Sequence, residues 1–367
     1  MSDPGTSYCD LTINGQPLVT WPDATAEAPP RRQPGFVGRR LNVLKDIAMP
    51  RREARGVPFE YVIEVTSRCN LVCPMCPREI SPDVGNKDMD LDTFRSVLQR
   101  IRHAASFIWL AGLGEPMMNK HFMTMVEECH EYGIKTGAST NGTFLTQKWQ
   151  ERLLDSPLDL LIVSFDGTDK ETYEKVRVGA EFEKVRDNVR EFAQRKVARG
   201  AKDPWLILQM IELSHTTGQG EAFQRMWNIP GVDSVRVKKD ELQFDESLAF
   251  EGQRKRDGVR PCPFLWRGTI YIHWDGAISP CCYGCHDKSF GNLDNAPVEK
   301  LWNGSRLQSI RQAHLDGRGK DESFCENCNT FQPGKLPMMA SAIVPSLFQK
   351  KYAGVVESLN SKMRFME

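Results

Sequence analysis

The stretch FEYVIEVTSRCNLVCPMC, residues 59–76, joins a β-branched and aromatic run to three closely spaced cysteines. Val, Ile, Tyr and Phe suit a pleated, half-buried surface, so residues 59–66 are predicted to form a strand. Cys69, Cys73 and Cys76 then fall just beyond its C-terminal end. Outward from this point the same alternation recurs. Short apolar runs SFIWLAGL, IKTGAST, DLLIVSFD, WLILQMIEL and DSVRVKK are separated by LDTFRSVLQRIRHA, HFMTMVEECHEYG, TQKWQERLLDS, FEKVRDNVREFAQRKVARG and GEAFQRMWNI, which carry helical periodicity. Strands alternating with helices imply right-handed βαβ crossovers and a parallel sheet. The expected fold is therefore α/β, a partial (β/α)6 barrel, with chemistry at the C-terminal strand ends.

The chain has 367 residues, 40% of them hydrophobic, and a formal net charge of zero. That charge gives no electrostatic reason to expect nucleic acid or an anionic membrane as a partner. No run approaches the roughly 18 apolar residues of a membrane-spanning helix. The N-terminus lacks a basic stretch followed by an apolar one, so a cytoplasmic location is expected. Residues 1–55, rich in Pro and Arg, read as an extended arm, and residues 56–240 as the core. Residues 241–336 read as a small cysteine-rich α+β unit, and residues 337–367 as a partly helical tail. The small unit contains a hairpin, TIYIHWDGAISPCC, turning at Asp275-Gly276, followed by a helix, VEKLWNGSRLQSIRQAH.

Eleven cysteines are many for a chain in a reducing compartment, where structural disulfides are rare. Nine of them lie in two groups, 69–76 and 262–328, which reads as metal or cluster ligation. Cys129, alone in a helical run, reads as buried filler. A structural zinc is the alternative for the first group, but it takes four ligands, and the next histidine is His103, on a predicted helix. A cubane held by three cysteines instead leaves one iron open to a cosubstrate.

The C-x3-C-x2-C spacing, with the bulky Met75 before the third cysteine, resembles the radical SAM superfamily. The resemblance implies a [4Fe-4S] cluster on Cys69, Cys73 and Cys76 whose open iron chelates S-adenosylmethionine. It implies reductive cleavage to methionine and a 5′-deoxyadenosyl radical that abstracts hydrogen from a substrate. Gly114 and Glu115 end the second strand, where that family's acidic residue meets the cosubstrate's amino group. Ser139, Thr140 and Asn141 end the third strand. Ser164 and Asp166 end the fourth and are expected near the ribose or the methionyl carboxylate. Arg177 matches an arginine that neutralises that carboxylate. Each acidic or amide residue also suits a turn or helix cap.

Cys262, Gly276 and Cys281 form C-x13-G-x4-C, followed later by Cys325 and Cys328 as C-x2-C. This resembles the SPASM extension of radical SAM enzymes, in the shortened twitch form, since no cysteine follows Cys328. It implies one auxiliary [4Fe-4S] cluster on those four cysteines; a zinc ribbon is the alternative. Cys282 and Cys285 are left over, either as packed thiols or as hydrogen-atom donors to a substrate radical. The expected activity is a radical SAM oxidoreductase acting on a small polar metabolite of sugar or cyclitol type. The alternative is crosslinking or epimerisation of a ribosomally made peptide. A reduced flavodoxin- or ferredoxin-type protein is the expected electron donor. Gln209, Glu212, Lys238 and Lys239 are candidates to face the substrate, although strand alternation allows only one of the two lysines to do so.

Overall fold

The computed structural model describes residues 36–80, 85–239, 261–281, 289–293 and 296–322, residues 325 and 339, and two strands at 12–13 and 16–17. Those two, β1 (Thr12–Ile13) and β2 (Gln16–Pro17), form an antiparallel pair. Six parallel strands follow in chain order: β3 (Glu60–Ile63), β4 (Phe107–Leu110), β5 (Lys135–Thr140), β6 (Leu160–Ser164), β7 (Trp205–Glu212) and β8 (Ser234–Lys239). All six lie within the apolar runs read from the sequence. Helices α3 (Leu91–Ile101), α4 (Phe122–Glu131), α5 (Gln147–Asp155), α7 (Phe182–Ala198) and α8 (Gly220–Trp227) cover one face. Between these strands two short helices were not read from the sequence: α2 (Pro77–Ile80) and α6 (Lys170–Val176).

Alternation along each strand divides the residues between two faces. Tyr61, Ile63, Ile108, Leu110, Ala138, Leu161, Val163, Leu206, Leu208 and Met210 point to the helices and form the main core. Cys129 of α4 lies within that core, fully buried. On the other face Leu160, Ile162 and Ile207 form a separate apolar layer with Trp109 and Trp205.

The C-terminal unit joins this sheet. After α9 (Phe264–Arg267), β9 (Ile270–Ile272) pairs in parallel with β3, Tyr61 opposite Ile270 and Ile63 opposite Ile272. It then turns back into β10 (Ile278–Ser279), which is antiparallel to it. Gly276 in the turn has φ +81°, which only glycine adopts without strain. The result is one eight-stranded sheet in the order β10-β9-β3-β4-β5-β6-β7-β8. The helix expected over residues 298–314 is two, α10 (Val298–Trp302) and α11 (Ser305–Leu315), interrupted at Asn303-Gly304.

The reading of residues 1–55 as an extended arm needs correction at its C-terminal end. Residues 36–48 form a thirteen-residue helix, α1 (Phe36–Ala48). Val43 and Ile47 bury against Phe59, with Phe264 and Met339 alongside. Basic residues around this apolar stripe masked its periodicity. Asp46, fully buried, accepts from the backbone N–H groups of Arg55 and Gly56 at 2.7 and 2.8 Å. Asn303 then ties the same segment to the C-terminal helices. Its Oδ1 accepts from Ala54 N at 2.9 Å, and its Nδ2 donates to Ala54 O at 3.0 Å. Among the described residues no helix is long and apolar enough to cross a membrane.

Replacing Asn303 with Ala strands the amide and carbonyl of Ala54 and removes an acceptor of Arg311. It is expected to destabilise the fold by about 1–3 kcal/mol, read as a lower urea midpoint with unchanged m-value.

Candidate functional site

The polypeptide leaving β3 turns over the C-terminal strand ends and carries Cys69, Cys73 and Cys76. Arg68 anchors the approach by donating to both carboxylate oxygens of Asp88, at 2.9 and 2.5 Å, and to Met118 O at 2.8 Å. Arg78 Nε closes the far side on Ser67 O at 3.0 Å. The middle is held from the α6–α7 connection, where Val178 O accepts from Val72 N at 3.0 Å. Within the loop Cys76 N donates to Cys73 O at 2.9 Å. Cys73 is buried, Cys69 and Cys76 are half-buried, and none forms a disulfide. Burial raises all three thiol pKa values, Cys73 to about 11, with Arg177 pulling the other way. Met75, expected near a cofactor, is buried against the main core.

Gly114 and Glu115 lie beside this loop. A Cβ on Gly114 would sit 2.2 Å from Thr66 O and 2.6 Å from Arg68 O, so only glycine lets the two turns touch. Glu115 N donates to Arg68 O at 2.7 Å. Its carboxylate, 2% exposed, accepts from Thr140 Oγ1 at 2.8 Å, Asn141 N at 2.7 Å and Met117 N at 3.3 Å. It therefore caps the 3₁₀ turn Pro116–Met118 and braces the end of β5, the cap role that the sequence left open. Burial pushes its pKa up, the three donors pull it down, and the outcome is about 7. Asn141 is brought to the cysteines: its Nδ2 is 3.9 Å from Cys69 Sγ and 2.9 Å from Asn70 Oδ1.

Asp166 lies deeper than the sequence implied. It is fully buried; Oδ1 accepts from Ile211 N at 2.6 Å, and Oδ2 accepts from Arg177 Nε at 2.6 Å and from Arg177 Nη2. A buried carboxylate is tolerated only with such partners, and here they leave it positioning Arg177. Burial works against the Arg177 charge, but Asp166 and Cys73 outweigh it and raise its pKa. Ser164, half-exposed, ends β6 opposite Gln209. Register places Ser139, Ser164, Gln209, Arg236 and Lys238 on the face away from the helices, above the Ile162–Ile207 layer. Glu212 and Lys239 fall in the opposite register.

One polar group on this face was missed. Glu64, one residue past β3 and 2% exposed, accepts from Tyr271 Oη at 2.9 Å and Leu113 N at 3.2 Å. His273 Nδ1 lies 3.6 Å from its other oxygen, and His273 Nε2 is 2.8 Å from Ser279 Oγ. The signal was present in the acidic residues at positions 60 and 64, which share one face of an otherwise apolar run.

In the second group, Cys262 and Cys281 flank the β9–β10 hairpin, and Cys325 follows the 3₁₀ turn Gly319–Asp321. Cys325 is buried, Cys262 and Cys281 half-buried. Cys282, Cys285 and Cys328 lie outside the described residues.

Residues 63–205 match the family model of the radical SAM superfamily, and residues 262–329 that of the iron-sulfur cluster-binding SPASM domain. The chain thus carries a radical SAM domain followed by a SPASM-type auxiliary domain, the arrangement of a radical SAM enzyme. A relative in Pyrococcus furiosus, the tungsten-containing aldehyde ferredoxin oxidoreductase cofactor-modifying protein, is 26% identical over 68% of this chain and 82% of its own length. The PqqA peptide cyclase of Bradyrhizobium diazoefficiens is 27% identical over 34% of this chain and 33% of its own. The fold is shared with BtrN, solved in complex with AdoMet and 2-DOIA (TM-score 0.51, 20% identity, 75% of this chain and 94% of that one). The cofactors are accordingly S-adenosylmethionine, its [4Fe-4S] cluster and an auxiliary cluster.

The residues present fit the first of these clusters. Cys69, Cys73 and Cys76 are free thiols carried on one short loop, and a cluster takes its thiolates on separate irons. The hydroxyl of Tyr173, within electrostatic reach of Cys73, is buried with no hydrogen-bond partner, a donor suited to electron-rich sulfur.

Two outcomes follow for the metal-free protein. A carboxyl whose folded pKa exceeds its unfolded value costs stability as pH rises between the two. From pH 5 to 7 the unfolding free energy should therefore fall, by at most about 1.4 kcal/mol per unit from this group; Glu115→Gln should flatten the slope of urea midpoints against pH. Replacing Arg177 with Met leaves Asp166 buried without its cation and should cost about 3–5 kcal/mol, seen as a lowered melting temperature.

Proposed function

We propose that Cys69, Cys73 and Cys76 hold the S-adenosylmethionine-binding cluster and that Cys262, Cys281, Cys325 and Cys328 hold the auxiliary one. Bound there, the first cluster supplies the electron that cleaves S-adenosylmethionine to methionine and a 5′-deoxyadenosyl radical. Asn141 orients the Cys69 side of the loop, and Glu115 fixes the strand end that carries Asn141. Arg177, kept charged by Asp166, offers a cation to the methionyl carboxylate. Ser164 offers a hydroxyl from the neighbouring strand end.

The substrate in this reading is a small polar metabolite of sugar or cyclitol type, which is oxidised or rearranged. One observation carries it: the sheet face away from the helices has an apolar floor that is already filled, Leu160, Ile162 and Ile207 with Trp109 and Trp205, beneath a rim of hydroxyl, amide and cationic groups. A filled floor leaves little for a hydrophobic side chain to enter, while the rim supplies hydrogen bonds to hydroxyls. For an oxidation, the auxiliary cluster that Cys262, Cys281, Cys325 and Cys328 would hold would supply an electron acceptor. A reduced flavodoxin- or ferredoxin-type protein serves as external donor. The second reading, crosslinking or epimerisation of a ribosomally made peptide, is favoured by the likeness to the PqqA peptide cyclase.

Anaerobically reconstituted protein should bind about eight irons for two cubanes. Replacing Cys69, Cys73 and Cys76 together with Ala should abolish 5′-deoxyadenosine production and remove about four irons. Replacing Cys325 and Cys328 should leave some cleavage of S-adenosylmethionine without substrate turnover. Incubation with a panel of aminocyclitols and sugars, and separately with short peptides, decides the substrate; turnover confined to peptides would discard the metabolite reading.

A further inference from the structure

We infer that His314 donates a hydrogen bond to Cys325 Sγ and thereby raises the reduction potential of the auxiliary cluster, an inference that rests on Cys325 being one of its ligands. His314 lies in the last turn of α11 and is 1% exposed. Its two ring nitrogens have different neighbours. Nδ1 lies 3.3 Å from the backbone nitrogen of Cys262, an amide that can only donate. Nε2 lies 3.4 Å from Cys325 Sγ. Because Nδ1 accepts, it must keep its lone pair, so the proton of the neutral ring sits on Nε2 and points at the sulfur.

The ring is held in that orientation. A Cβ on Gly319 would sit 2.5 Å from His314 Cε1 and 2.6 Å from Nδ1, so the backbone after α11 packs directly on the imidazole. This tautomer also disfavours His314 as a metal ligand. Ligation through Nε2 would move the proton to Nδ1, where it would face the Cys262 N–H donor to donor. In this reading the site is a cysteine centre with a histidine aimed at one of its sulfurs. Reduction adds negative charge to the cluster and its thiolates, and a hydrogen bond to sulfur stabilises the reduced form more than the oxidised one. The imidazole also spans the group, taking a hydrogen bond from the Cys262 backbone and giving one to the Cys325 side chain. It thereby fixes the separation of two segments that lie far apart in the sequence.

The test uses full-length protein in which Cys69, Cys73 and Cys76 are replaced by Ala, so that every signal comes from the auxiliary cluster. Iron content is measured first, and the midpoint potential is then obtained by electron paramagnetic resonance during dithionite titration. His314→Leu should retain about four irons. It should also shift the reduction equilibrium about tenfold toward the oxidised form, about 59 mV more negative for one electron. His314→Gln, which restores an N–H near Nε2, should recover most of that shift. Gly319→Ala, which displaces the ring without removing it, should move the potential in the same direction as His314→Leu. An unchanged midpoint in His314→Leu overturns the inference, as does loss of iron in both His314 variants. If His314→Leu does not fold, an unshifted Gly319→Ala is equally decisive. Absence of iron from the triple-Ala parent would instead refute the assignment of Cys325 as a ligand.

Discussion

The parallel ladder between β9 and β3 is the interaction on which the two cysteine groups depend. One backbone strand, residues 60–63, carries the first cysteine loop from its C-terminal end and pairs through its free edge with the hairpin flanked by Cys262 and Cys281. The separation of the two groups is therefore set by strand spacing and by a few side chains, not by a flexible linker. Glu64 is the chief of these. It is reached by Tyr271 and His273 from β9 and its turn and by Leu113 N from beyond β4, so three segments converge on one carboxylate.

Buried charge organises the rest of the strand ends. Glu115 and Asp166 are both acidic residues at the ends of strands, and both were read as cosubstrate contacts. In the fold each first satisfies backbone amides: Glu115 those of Asn141 and Met117, Asp166 that of Ile211. Side chains that cap a neighbouring strand in this way transmit position. The residues they hold, Asn141 and Arg177, have groups near the thiols.

Much of this was legible in the sequence because burial imposes period-two and period-3.6 patterns. The six strands, five helices and the cysteine loop follow from those patterns. What escaped involves contacts between distant segments. The pairing of residues 270–272 with 60–63 leaves no local trace, because three apolar residues read the same in a free hairpin as in an extended sheet. Helix α1 was hidden by arginines that lie around its apolar stripe. The break at Asn303-Gly304 was hidden in a run of good helix formers, although Asn and Gly there were the available cue. His314 looked like an ordinary helical residue, and only the approach of Cys262, Gly319 and Cys325 gives its two nitrogens distinct roles.

The position of β9 also bears on synthesis. Until residues 270–272 have emerged, β3 is an edge strand, with a row of unpaired amides and carbonyls beside an oxidisable cysteine loop. Such an edge is a template for pairing with another chain, and contacts across some two hundred residues form slowly. A strand made late thus acts as the cover for the first strand of the large sheet, and any shortened product ending before it carries an aggregation-prone edge next to its thiols.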